Sequence, residues 1–143
     1  MYTLAEITIP DYKTMCIEHT ITDLDVIPTT FNKLQDFARE KVITPKGYFV
    51  KYLDATNPST QMPAQFCLVV DALSSGEGEI KPMELPGYSD KFLKSESVPF
   101  DKLGSEHERM HRYIKEKGYR PAARPLWELY NADHTGYILW PIE

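Results

Sequence analysis

Apolar and polar residues follow two rhythms along this chain, and the two rhythms occur twice in the same order. Over residues 6–20, β-branched and aromatic side chains surround an X-Pro step at Pro10, which predicts a strand with a kink or an edge position. The period then lengthens. Ile27, Phe31, Leu34 and Ala38 lie four, three and four apart, the spacing of one helix face. Asp23 or Asp25 is placed to cap that helix, and Pro28 suits its first turn. A Pro-containing turn, a strand over 48–53 and a last strand over 65–72 follow.

The second half repeats the plan. Residues 81–95 predict a strand broken by an X-Pro step at Pro86, and Phe100, Leu103, His107, Met110 and Ile114 form a helical stripe that Gly118 stops. Strands over 126–131 and 137–142 close the unit. Identical residues recur 76 positions apart: Pro10 and Pro86, Tyr12 and Tyr88, Asp25 and Asp101, Glu40 and Glu116, Lys41 and Lys117, Pro45 and Pro121. After a two-residue shift, Tyr52 matches Tyr130. The chain therefore reads as a single domain, 1–143, with an internal repeat of about 1–72 and 77–143. The joint Ser74-Ser75-Gly76-Glu77-Gly78 has the composition of a flexible linker. The order β-α-β-β, twice, predicts an α+β domain with two helices on one side of antiparallel strands.

Composition narrows the function. With 143 residues, 21 Asp and Glu against 16 Lys and Arg, and a net charge of −5, the chain lacks the basic footprint of a duplex-DNA reader. A charged partner is expected to be cationic, and no direct nucleic-acid contact is expected. Cys16 and Cys67 sit in apolar runs and are expected to be buried and reduced. No leader-like segment opens the sequence, and no apolar run approaches the ~20 residues of a membrane span. A cytoplasmic protein without a membrane contact or a cofactor is the expectation.

His107-Glu108-Arg109-Met110-His111 matches HExxH, in which two histidines one helical turn apart bind zinc and the glutamate polarises water. Arg109 puts a cation where the metal would sit, and His107 falls at the repeat position of Phe31, on the core-facing stripe. No third ligand is evident among His19, His134 and the downstream residues. A zinc hydrolase at His107 and His111 is thus the least favoured reading, and the helix histidines are expected to serve packing or the surface.

Glu128 is more telling. Strand alternation places Leu126, Glu128 and Tyr130 on one face and Trp127 and Leu129 on the other, so the carboxylate stands in a strand apolar on both sides. Such a group is costly to bury unless it is paired or meets a ligand. The corresponding position of the first half is Val50, between Tyr48 and Tyr52. A salt bridge from Glu128 to Arg120 or Arg124 is the structural alternative, and Tyr48, Tyr52 and Trp140, taken singly, read as core aromatics before they read as ligand contacts.

The run Gly118-Tyr119-Arg120-Pro121-Ala122, then Trp127-Glu128-Leu129-Tyr130, ending in Ile138-Leu139-Trp140-Pro141-Ile142, resembles the GyrI-like small-molecule-binding domains, relatives of the effector-binding domains of AraC-type and MerR-type regulators. The resemblance spans essentially the whole chain. It implies a curved, barrel-like antiparallel sheet with a central cleft between the halves. It also implies a cationic or amphipathic aromatic ligand, with Glu128 as charged anchor and Tyr130 beside it. Tyr52 would line the opposite side, with Tyr48 a further candidate. A three-residue hairpin loop with Gly136 left-handed would pair Tyr130 with Trp140 and put the indole on the Glu128 face. No room is expected for a DNA-reading region, and no residue identifies a gyrase contact or another protein partner. Some GyrI-like proteins are described as hydrolases of reactive electrophiles. In that alternative Glu128, its pKa raised by burial, is the general base, with Tyr130 or Trp140 holding the substrate.

Overall fold

Each X-Pro step ends one strand and starts another. In the computed structural model, which describes residues 2–23, 25–54 and 62–143, the elements are β1 (Thr3–Ile9), β2 (Tyr12–Ile21), α1 (Val26–Glu40), β3 (Gly47–Tyr52), β4 (Met62–Val69), β5 (Lys81–Leu85), β6 (Tyr88–Lys94), β7 (Val98–Pro99), α2 (Leu103–Lys117), β8 (Leu126–Tyr130) and β9 (Thr135–Pro141), with a 3-10 turn at Phe100–Lys102 before α2. The single opening strand expected in each half is therefore two. Proline fixes φ and has no N–H to extend a ladder, so the chain turns there. The separated strands then pair across the halves, β1 with β6 and β5 with β2. The two turns meet: the backbone N–H of Gly87 donates to Asp11 Oδ1 at 2.6 Å. A Cβ on Gly87 would lie 2.4 Å from the Ile9 carbonyl oxygen, so this crossing requires glycine.

The result is an α+β domain with a curved, nine-stranded antiparallel sheet that does not close. Its order is β1-β6-β9-β8-β3-β4-β2-β5, with β7 on β9. The main order reads the same from either end when each strand is exchanged for its counterpart in the other half. β3 and β8 meet at the centre, where Val50 stands directly opposite Glu128.

Two-residue periodicity sorts the core into two layers. Met15, Ile17, Val50, Phe66, Leu68, Leu126 and Ile138 face the helices and pack with Leu34, Phe37, Met110 and Ile114. Cys16, Phe49, Cys67, Phe92, Trp127 and Leu139 form a second cluster on the other face. Helix α1 lies against β2 and β4, and α2 against β7 and β9. The joint between the halves is an ordered turn: Glu77 and Ile80 exchange backbone hydrogen bonds of 3.0 Å in both directions, Gly78 has φ 59°, and Ile80 is buried. These bonds, absent from any compositional argument, replace the expected flexible linker.

Cys16 and Cys67 are fully buried, as expected, but disulfide-bonded. They face each other in the β2–β4 ladder with Cα atoms 4.4 Å apart, a separation set by strand register and invisible in the sequence. Such bridges are rare in the cytosol, which weakens the cytoplasmic expectation. Among the described residues no helix is long and apolar enough to cross a membrane.

Both helices end alike. Gly118 closes α2 with φ 71°, and the Tyr119 N–H donates to the Ile114 carbonyl at 3.0 Å. In α1 the Ile43 N–H donates to the Ala38 carbonyl at 2.8 Å, and the left-handed position, φ 56°, is held by Val42, which is 91% exposed. A β-branched residue is strained there, by roughly 1–2 kcal/mol. Val42→Gly is expected to raise stability by about 1 kcal/mol, or about 3 °C in the melting temperature; a lower melting temperature contradicts this account of the cap. The bridge spans 51 positions, so Cys16→Ala with Cys67→Ala is expected to lower the urea-derived unfolding free energy by roughly 4 kcal/mol. An unchanged value contradicts that.

Candidate functional site

The helix-facing side of β3 and β8 is paved with the residues singled out by alternation. Tyr48, Val50 and Tyr52 project from β3 on the same face as Leu126, Glu128 and Tyr130 from β8, because Val50 and Glu128 are register partners. The β8–β9 register adds Trp140, though not as expected. Tyr130 pairs with Gly136, Glu128 with Ile138, and the left-handed turn residue is His134, φ 63°, rather than Gly136. The register differs from the expected one by four residues. Four is even, so Trp140 still falls on the Glu128 face.

These five side chains, Glu128, Tyr130, Tyr52, Trp140 and Tyr48, all line one cavity of about 1380 Å³ beneath the two helices. Tyr52 does not stand on the opposite wall from Tyr130. It lies on the strand beside it, because β3 and β8 are hydrogen-bonded neighbours. The opposing walls come from the helices: Ile27 and Phe31 from α1, and Leu103, His107 and His111 from α2. Phe31 lies edge-on to both Tyr48 and Tyr130, with ring centroids 5.8 and 5.3 Å away. Carboxylates at Asp23, Asp101, Glu108 and Glu128 line the cavity. Lys46, also on its wall, is bridged to Asp71 at 3.4 Å.

Glu128 is 4% exposed and receives three donors. His107 Nε2 lies 2.6 Å from Oε2, the Tyr130 hydroxyl donates to Oε1 at 2.7 Å, and the Tyr52 hydroxyl makes a long contact to Oε2 at 3.4 Å. Burial alone pushes this carboxyl up. The hydrogen bond and charge of His107 and the two phenols outweigh it, and the carboxyl sits below its ordinary value. The raised pKa expected of a desolvated base is thus corrected. Burial, then the adjacent negative charge, pushes Tyr52 and Tyr130 well above the usual phenol range, so both remain donors.

The alternative of a salt bridge from Arg120 or Arg124 is not what Glu128 makes: Arg124 Nε binds Asp90 Oδ2 at 2.7 Å. The partner is His107, which a helix-face reading treated as packing or as a zinc ligand. Its neighbour in the HExxH run behaves differently again. His111 stacks on Trp140, with centroids 6.0 Å apart and planes 17° from parallel. Arg109 turns to Glu106 at 3.7 Å. No three metal-binding side chains come together among the described residues. Glu106 is a second buried carboxylate, unforeseen in the sequence. It accepts from the Tyr2 hydroxyl at 2.5 Å, and burial with that contact pushes Tyr2 up to about 12. It lies outside the cavity lining.

No protein-family model matches the chain, and no curated protein matches it. Solved structures do. The C-terminal domain of EcmrR is 19% identical with a TM-score of 0.67, covering 100% of this chain and 98% of that one. Against EcmrR in its DNA complex the TM-score is 0.71 at 17% identity, covering 99% of this chain but 57% of the EcmrR chain, so this chain spans little more than half of that protein. SAV2435 bound to tetraphenylphosphonium is 15% identical with a TM-score of 0.66, covering 100% and 94%. A hydrolase encoded by lin2189 from Listeria innocua is 10% identical with a TM-score of 0.57, covering 98% and 91%. At these identities the likeness is one of fold.

A carboxyl that titrates lower in the folded than in the unfolded chain stabilises the fold fully above the ordinary carboxylate value, near pH ~4.3. That stability is lost as the pH falls through the lower folded value. The melting-temperature gap between the native protein and Glu128→Gln is therefore expected to shrink as the pH is lowered below that range. A gap that widens there contradicts the ionised assignment.

Proposed function

We propose that this protein is a small-molecule-binding domain whose cavity takes amphipathic aromatic cations, with Glu128 as the charged anchor. The observation that carries the reading is a buried carboxylate, contacted by one imidazole and two phenols, set in an aromatic wall. Glu128 lies among Tyr52, Tyr130 and Trp140 in a cavity large enough for a drug-sized ligand. Cations gain from both the carboxylate and the ring faces. The similarity in fold to SAV2435, which is bound to tetraphenylphosphonium, supports the same ligand class. Reading the chain as two related halves is supported by the strand order and by the matching helix caps.

No nucleic-acid contact is proposed for this chain, and no protein partner is assigned. A cytoplasmic location remains an expectation from the sequence. Hydrolysis with Glu128 as general base is the weaker reading. The lin2189 hydrolase shares the fold, but here the carboxyl is held ionised by three donors, which makes it a poor proton acceptor.

Titration with tetraphenylphosphonium tests the binding reading. Glu128→Gln is expected to raise its Kd about 100-fold, the loss that follows removal of one partner of a buried charge pair, with circular dichroism verifying the fold. Unaltered affinity in a folded variant refutes Glu128 as the anchor.

A further inference from the structure

Glu128 belongs to the cavity wall, yet it is 4% exposed, so no ligand atom reaches the carboxylate until a covering group moves. Three groups cover it. The Tyr130 ring is held edge-on between Phe31 and Phe100, both at 5.3 Å, and Tyr52 is 6% exposed within the central ladder. His107 packs against the Tyr52 and Trp140 rings, with centroids 5.7 and 6.2 Å away, and reaches solvent. Its side chain is 26% exposed, against 5% for that of Glu128. Imidazole is also the one cover able to carry a positive charge near neutral pH.

We infer that His107 is an internal counter-cation, which an incoming organic cation displaces from Glu128, so that ligand binding expels a proton from the site. This rests on the cavity being a cation site. Before binding, imidazolium and carboxylate form a neutral pair at 2.6 Å. When the ligand's positive charge takes the place beside Glu128, a second cation in the same low-dielectric wall is unfavourable. The Nε2 proton leaves to solvent, imidazole remains neutral, and the net charge of the site is unchanged. Above the pH at which the imidazole is charged, the ligand enters without releasing a proton. Below it, affinity falls about tenfold per pH unit.

Other titratable groups surround His107 and have to be separated from it. Tyr52 faces it from β3 and Glu128 from β8, with Tyr130 bonded to the same carboxylate. Trp140, which does not titrate, faces it from β9. Glu108 and His111 of its own helix and Asp101 of the preceding turn line the same cavity, as do Asp23, Lys46 and His134.

Calorimetric titration of the native protein with tetraphenylphosphonium, in buffers of differing ionisation enthalpy from about pH 5 to about pH 8, reads the proton count directly. The phosphonium has a permanent charge and no exchangeable proton, so every proton released comes from the protein. Release is expected to approach one per cation at the acid end and to vanish at the alkaline end. His107→Gln should abolish the release and flatten the pH dependence of Kd, whereas His111→Gln should retain both. Binding by the native protein without proton release, or release retained in His107→Gln, overturns the counter-cation while leaving the Glu128 site standing. Absence of binding at every pH, or binding indifferent to Glu128→Gln, overturns the cation site and this inference with it.

Discussion

A carboxylate at 4% exposure, between the two central strands of a sheet and a helix above them, has to be matched by donors or the surrounding core would not form. Glu128 is matched by one imidazole and two phenols, each from a different segment: His107 from α2, Tyr52 from β3 and Tyr130 from its own strand. The contact therefore ties the helix layer to the middle of the sheet. It also fixes a negative charge on a wall otherwise built of aromatic rings. The cavity's size, its ring-lined floor and the position of α2 acquire chemical meaning from that charge.

At this point the corresponding positions of the halves differ in charge. Glu128 stands where the first half has Val50, and His107 where it has Phe31, while Tyr130 and Tyr52 are alike. The side with Ile27, Phe31 and Tyr48 accordingly offers ring and aliphatic surface, with Asp23 and the Asp71-bridged Lys46 beside it, and the other side carries the His107–Glu128 pair. A ligand with a charged centre and a large apolar body satisfies both walls. The same contrast explains why the pair is local: Phe31 packs on Phe66 and Tyr130, whereas His107 finds a carboxylate within hydrogen-bonding reach.

Much of this was legible in the sequence because it depends on parity and period. Alternation alone puts Leu126, Glu128 and Tyr130 on one face, and Leu34, Ala38, Leu103, Met110 and Ile114 of the two helical stripes are buried, whereas Phe100 stands in the turn before α2 and is 42% exposed. Trp140 faces Glu128 in either of two registers four residues apart, since only odd slips exchange faces. What the sequence hid depends on contacts between distant residues. Nothing local announces that Pro10 and Pro86 divide strands that re-pair across the halves, that Cys16 meets Cys67, or that His107 reaches Glu128. The direction of the Glu128 shift is hidden for the same reason: burial is readable from neighbours in sequence, whereas the donors that overcome it are not.

The account's central claim is that a cation comes to rest against Glu128 in the place His107 now occupies. A crystal structure of the protein with tetraphenylphosphonium tests it most directly. The account predicts the phosphonium centre in the cavity beside the Glu128 carboxylate, its phenyl rings against Trp140, Tyr48 and Phe31, and the His107–Glu128 contact broken. A phosphonium bound elsewhere, or one in the cavity with that 2.6 Å contact intact, would contradict it.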